Sequence, residues 1–197
     1  AKRDRDFLRA VVAYQSGQPV AALELLSEIE TSADAYWLAG VIELRDENWL
    51  SAAEHFEDAL KDEGSLGELC ARNNVAIEIA YSITPEVTAH IGPDPRSTRL
   101  ALAEAYQGAG ELSAALQILK SMIKTHSSDL IIALSLAEIS FEADDGRKMK
   151  MADLVKILEE TDAVEGLNWA RDFNRARALT RIDGFKEAID AYTSAMS

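Results

Sequence analysis

Tyr36-Trp37-Leu38-Ala39-Gly40-Val41-Ile42-Glu43-Leu44, a polar break at Arg45–Asn48, then Trp49, Ala52, Phe56 and Ala59: this stretch decides the fold. The small residues Gly40 and Ala52 lie 12 positions apart with the break between them. Two antiparallel helices approach closely only where side chains are small. Bulky neighbours one turn away, here Trp49 and Phe56, fill the space beside the contact. The stretch therefore predicts a helical hairpin.

The same arrangement recurs along the chain. Leu102-Ala103, Tyr106, Gly110, Leu112, Ala115, Leu119 and Met122 repeat it with Ala103 and Ala115 as the small pair. Ala176, Leu179, Gly184, Phe185, Ala188, Tyr192 and Ala195 repeat it again near the C-terminus, and Ala10, Ala13, Gly17, Ala22, Leu26 and Ile29 open the chain with another copy. A weaker copy runs through Leu136-Ala137 and Ser140 to Ala152, across a longer polar loop. Each hairpin leaves one face apolar, so successive hairpins must stack.

The small–bulky–small–bulky–small run, matched best by Gly40, Trp49, Ala52, Phe56 and Ala59, resembles the tetratricopeptide repeat. The resemblance implies an all-α α-solenoid of about five antiparallel hairpins wound as a right-handed superhelix. Two departures stand out. The family's frequent terminal Pro is absent, and Arg175 occupies a place where a large apolar residue is usual.

The array is interrupted. Gly40 to Ala103 and Trp49 to Leu112 are each 63 residues apart, about five short of two repeats of 34. Ser65-Leu66-Gly67-Glu68 reads as a capping box opening a short helix, and Asn73-Asn74 as its stop, since Asn tolerates the left-handed conformation. Val75, Ile77, Ile79, Tyr81 and Ile83 then share one parity, followed by Thr84-Pro85-Glu86 and by Val87, Ala89 and Ile91. Period two with β-branched residues and a Pro break predicts a β-ribbon at 75–91. A helical reading of 70–83 also fits Ala76, Ile77 and Ala80. Asp94-Pro95 reads as an N-cap followed by Pro in the first turn. A single repeat domain over 1–197 is thus expected in three blocks: two hairpins at 3–64, a short helix and ribbon at 65–94, and three hairpins at 95–197.

Composition narrows the function. A net charge of −14, from 34 acidic and 20 basic residues, repels a polyanion, so nucleic acid is not an expected partner. The single cysteine, Cys70, excludes an internal disulfide and a cysteine zinc cluster, and reads as a buried thiol. No window reaches the ~18 apolar residues of a membrane span. Ala1 to Asp6 has no apolar signal core, which makes the cytoplasm the expected location. A chain that starts without Met and ends in what reads as mid-helix is also what a piece of a longer protein would look like.

No catalytic constellation emerges. His55, His90 and His126 lie in separate segments without ligand spacing and read as surface residues. The run Glu142-Ala143-Asp144-Asp145-Gly146 lacks the spacing of a calcium loop and reads as a solvated turn before Arg147-Lys148. Phosphate-cradling glycine loops, a Gly-x-Ser-x-Gly elbow and redox cysteine pairs are all missing from the sequence. Neither enzyme activity nor a metal or cofactor is expected.

The resemblance instead implies a concave groove, lined by the first helix of every hairpin, that takes an extended peptide or helix of a partner protein. Position by position, the groove residues would be Phe7, Leu8, Val11 and Tyr14, then Trp37, Leu38, Val41, Leu44 and Arg45. The third hairpin offers Leu100, Glu104 and Gln107, and the fourth Leu134, Glu138, Phe141 and Glu142. The last offers Phe173, Asn174, Arg177 and Arg181. This groove runs from apolar through acidic to basic. The Lys and Asn set with which some members clamp a C-terminal carboxylate is missing. An interaction scaffold is the first expectation. Self-association through the C-terminal helix, or service as a regulatory module of a larger protein, is the alternative.

Overall fold

The computed structural model describes residues 2–29, 32–84, 86–143 and 150–196. Among them are eleven α-helices and one two-stranded antiparallel ribbon. The chain forms two compact units. The first comprises 1–81 with 90–111, the second 82–89 with 112–197.

In the first unit, α1 (Lys2–Gln15) pairs with α2 (Pro19–Ser27), and α3 (Ala33–Arg45) with α4 (Trp49–Leu60). After a 3-10 turn, Glu63–Ser65, come the short α5 (Glu68–Arg72) and, beyond the ribbon, α6 (Pro95–Gly108). The small residues act as the spacing predicts. A Cβ built on Gly40 of α3 would stand 2.7 Å from Phe56 Cε1, a ring that is itself fully buried. A Cβ on Gly108 of α6 would run into the indole of Trp49, so α4 and α6 touch through the same device. Tyr106 Oη adds a hydrogen bond to Glu57 Oε1 (2.5 Å) across that pair.

The tight turns share one construction. Gly17, Glu47, Gly110 and Asp183 are left-handed, each two residues before the following helix, with φ of 72°, 59°, 78° and 60°. The next amide then bonds five residues back, Gln18 to Ala13 O, Asn48 to Glu43 O, Glu111 to Tyr106 O and Gly184 to Leu179 O. This is the Schellman closure. Asn74 (φ 53°) ends α5 in the same way, with Val75 N on Cys70 O, as its place in the sequence predicts.

The start of α5 departs from expectation. Ser65 does not cap it. Instead the carboxylate of Asp34, buried in the first turn of α3, accepts from the amides of Gly67 (2.5 Å), Leu69 (2.7 Å) and Cys70 (3.1 Å). The amides left orphaned by a helix start take whatever acceptor the tertiary fold brings, and here that acceptor is 33 residues upstream. Gly67, at φ 87°, lets the chain turn tightly enough to present all three.

The ribbon is present and the helical alternative for 70–83 is not: α5 stops at Arg72, and strands β1 (Ile79–Thr84) and β2 (Val87–Ile91) follow. Ile79, Tyr81, Ile83, Val87 and Ile91 are buried on one face, in the period-two pattern. Residues 75–78 are irregular, so the strands are shorter than the 75–91 expected. Asp94 then caps α6, its side chain accepting from Ser97 N (2.9 Å), with Pro95 in the first turn.

The second unit holds α7 (Leu112–Thr125), α8 (Leu130–Glu142), α9 (Met151–Glu160), α10 (Asn168–Thr180) and α11 (Phe185–Ala195). Helix α8 is apolar all round and packs on α7, α9 and α10, which makes it the unit's central helix. Arg175, in its unusual place, reaches Glu159 of α9 at 3.1 Å. The buried Asp172 accepts from Ser194 Oγ (2.6 Å) and so ties α11 to α10. The acidic run expected to be a solvated turn falls largely at 144–149, outside the described residues. Among the described residues no helix is long and apolar enough to cross a membrane.

Candidate functional site

Helix α3 carries five of the expected groove residues, and it turns out to be an interior helix. It packs on α2, α4, α5 and α6, and its first-turn Asp34 is consumed by the α5 cap. Trp37 is 0% exposed, and Leu38, Val41 and Leu44 are buried with it. Phe7 and Val11 of α1 are buried as well. These six side chains are core and offer a partner no surface. A helix packed by four neighbours keeps its apolar stripe inside, whatever its repeat position would give elsewhere.

The remaining residues of that half stay accessible. Leu8 and Tyr14 are half-buried and Arg45 is exposed. Arg45 Nη1 donates to Tyr14 Oη (2.6 Å), with its guanidinium 5.6 Å from the ring centre. Tyr14 and Arg45, together with Gly17, Pro19, Ile42 and Asp46, border a shallow hollow of 240 Å³, whereas Leu8 lies at a separate one. Glu104 on α6 is largely buried, and its Oε2 has no hydrogen-bond partner. Burial pushes its carboxyl up to about 7. Trp37 Nε1 is unpartnered too. Cys70 is buried, and burial, reinforced by the charge of Asp34, pushes its thiol up to about 12, the opposite of an activated nucleophile. Of the histidines, His90 and His126 are exposed and His55 is half-buried. Among the described residues no cluster of His, Cys, Asp or Glu is arranged to hold a metal.

The second unit brings six of the eight expected residues of its last two hairpins together, while Leu134 is fully buried in the core. Arg177 lies at the centre. Its guanidinium carbon sits 4.0 Å from the centre of the Phe141 ring, and its Nη1 donates to Glu138 Oε1 (2.5 Å) and Asn174 Oδ1 (2.8 Å). Arg181 stacks on the same Phe141 ring at 4.9 Å. Phe173 stands 5.8 Å from Arg177 and meets Tyr192 of α11 edge-on. Spacing explains the cluster: 173, 177 and 181 follow one stripe of α10, and 138 and 141 one stripe of α8, the two helices being in contact.

Beside this cluster is a hollow of 340 Å³. It is lined by Glu138, Ala170, Phe173, Asn174 and Arg177, by Trp169, and by Thr84 and Glu86 from the ribbon tip. All eight residues belong to the second unit. Trp169 and Phe173 are 38% and 42% exposed, large aromatic area left in water at one place. Thr84 Oγ1 caps the ribbon turn, accepting from Glu86 N (3.2 Å) and Val87 N (3.1 Å), and lies 3.1 Å from Glu86 Oε2. Sequence reasoning missed Trp169, although it extends the stripe of Phe173 by one turn. Glu86 carries no local signal, because only the fold brings the ribbon tip to α10.

No protein-family model and no curated protein matches the chain. Among solved structures it is similar to residues 41 to the end of MamA from Desulfovibrio magneticus RS-1. The TM-score is 0.65 at 12% identity, with 100% of this chain and 94% of that chain covered. A second MamA structure, AMB-1, gives 0.66 at 12% identity over 98% and 90% of the two chains. The N-terminal domain of the EccA1 ATPase from the ESX-1 secretion system of Mycobacterium tuberculosis gives 0.66 at 18% identity over 98% and 70%. Likeness at such identities shows the fold: a mostly helical α-solenoid of the tetratricopeptide-like class, carrying a small two-stranded sheet.

Proposed function

We propose that the protein is a non-catalytic interaction scaffold that holds a peptide or helix of a partner protein on the α8–α10 face of its second unit. One observation carries the reading: Trp169 and Phe173 stay substantially exposed at the edge of the 340 Å³ hollow. Exposed aromatics around a concavity with a few fixed polar groups characterise a contact surface. The neighbouring Phe141, Arg177 and Glu138 are held rigid by stacking and hydrogen bonds, so little ordering opposes binding there. Tyr14 and Arg45 of the first unit form a lesser surface.

The test is a selection of displayed random peptides on the wild-type protein, repeated on Trp169→Ala and on the double change Trp169→Ala with Phe173→Ser. Wild type should enrich peptides that both variants release, with helical signal and melting unchanged. Equal capture by the variants would refute the placement. Substituting Trp37 and Leu38 would be uninformative, because both are core.

A second reading, association of one copy with another, is favoured by α11. Phe185, Ile189 and Met196 are exposed on one face of the helix and its end. By repeat position Phe185 matches Trp49, whose face on α4 packs against α6. Leu8 and Val12 of α1, beside Arg5 and Arg9, border a 540 Å³ hollow of a sign that suits Glu187 and Asp190 of α11. Light scattering should then show mass rising with concentration in wild type and not in Ile189→Glu. A constant monomer mass excludes this reading.

A further inference from the structure

Resting on the peptide-binding reading, we infer that the hollow beside Trp169 takes a cationic side chain, the Lys or Arg of a partner protein. The site already shows the chemistry in its own residues. Phe141 carries Arg177 on its ring at 4.0 Å and Arg181 at 4.9 Å, and Phe173 has Arg177 at 5.8 Å. The ladder of aromatics and guanidinium groups ends at Trp169, over whose ring no cation lies among the described residues. Indole is the best of the aromatic faces for a cation.

The charge balance points the same way. Two carboxylates, Glu86 and Glu138, and one guanidinium, Arg177, line the hollow. Arg177 pairs with Glu138 at 2.5 Å. That leaves Glu86 without a cation among the described residues, its carboxylate 3.1 Å from the Thr84 hydroxyl. The open space thus has aromatic walls from Trp169 and Phe173 and one uncompensated carboxylate at its rim. An anionic ligand would meet Glu86 and would find the charge of Arg177 already paired with Glu138. A neutral apolar group would meet the rings but gain nothing from the Glu86 carboxylate at the rim. A basic side chain satisfies both the rings and the carboxylate, and it fits a chain of net charge −14.

The test uses N-acetyl-arginine amide and its neutral isostere N-acetyl-citrulline amide. Binding is read from the indole N–H resonances of the three tryptophans, with Trp169 assigned by its loss in Trp169→Ala. The arginine compound should move the Trp169 resonance saturably, and citrulline should bind about tenfold more weakly. Glu86→Gln should weaken arginine by about the same factor, leave citrulline unchanged, and leave the rest of the spectrum intact. Equal affinity for the two compounds, or no movement with arginine, overturns the inference. Selected peptides separate it from the broader reading. Peptides that need Trp169 but tolerate citrulline at every Arg and Gln at every Lys sink the cation site and keep the scaffold. Saturable arginine binding with no peptide selected does the reverse.

Discussion

Removing the Asp34 carboxylate should open the junction between the helical stack and the ribbon. In Asp34→Ala three amides, those of Gly67, Leu69 and Cys70, lose their acceptor, and the last two bonds are buried. A hydrogen bond to a charged group contributes about 1.5–3 kcal/mol and a helix cap alone about 1–2 kcal/mol. Water entering the vacated space recovers part of that, so a loss of roughly 3–5 kcal/mol is expected. A fall in melting temperature of about 10 °C or more follows. Cys70, the single cysteine, reports the local event directly. With α5 uncapped, labelling of its thiol by a disulfide reagent should quicken about a hundredfold, the equivalent of ~3 kcal/mol off the opening equilibrium. The thiol is pushed up to about 12 by burial first and by Asp34 second, so loss of Asp34 also raises the thiolate fraction. Rates across the alkaline range separate the two effects: opening multiplies every rate equally, whereas a pKa change moves the midpoint. Asp34→Asn keeps one acceptor oxygen and should lose less. If labelling stays within about twofold of wild type and melting is unchanged, the carboxylate is not holding α5.

Other expectations follow from single contacts. Gly40→Ala should destabilise by about 1–3 kcal/mol in urea, because overlap with the fixed Phe56 ring outweighs the ~1 kcal/mol that Ala gains in a helix. Gly108→Ala should lose less, since half-exposed Trp49 has room to swing aside. Glu47→Gly and Asp183→Gly should each stabilise by ~0.5–1 kcal/mol, relieving left-handed residues at two Schellman turns. Glu104 has its carboxyl raised from 4.5 to about 7, so the folded state binds its proton more tightly than the unfolded chain does. Stability from this group is full below pH 4.5 and falls as pH rises through about 7. Glu104→Gln should therefore match wild type near pH 4 and exceed it by up to about 3 kcal/mol at pH 8. An equal difference at both pH values would show that burial of charge is not the cause.

How much of this was legible in the sequence depends on the range of the interaction. Gly40 against Phe56, Asn74 at the end of α5, Asp94 with Pro95, and the alternation from Ile79 to Ile91 each state their structure within 16 residues or fewer. Backbone sterics and burial on one face fix such features locally. Ser65–Glu68 failed as a capping box because α5 starts only at Glu68, with Gly67 as its N-cap, and a remote carboxylate holds its first amides. A local rule names the groups that need a partner, not the partner they find.

The groove shows where a position rule stops. Repeat position says which way Trp37 and Phe173 point along their helices, and both are aromatic at equivalent places, one in α3 and one in α10. Whether such a residue meets water depends on how many elements surround the helix. Helix α3 is packed by α2, α4, α5 and α6, and Trp37 disappears; on α10 the same position leaves Phe173 42% exposed. The short α5, which Asp34 of α3 clasps, belongs to the first unit and lies within the segment that breaks the repeat period. The irregularity that shortens the array to 63 residues between copies therefore brings α5 and its clasp onto α3, while on α10 Phe173 keeps its aromatic face in water. A search for binding residues in such arrays should accordingly start from the repeats with fewest added elements, not from the most apolar ones.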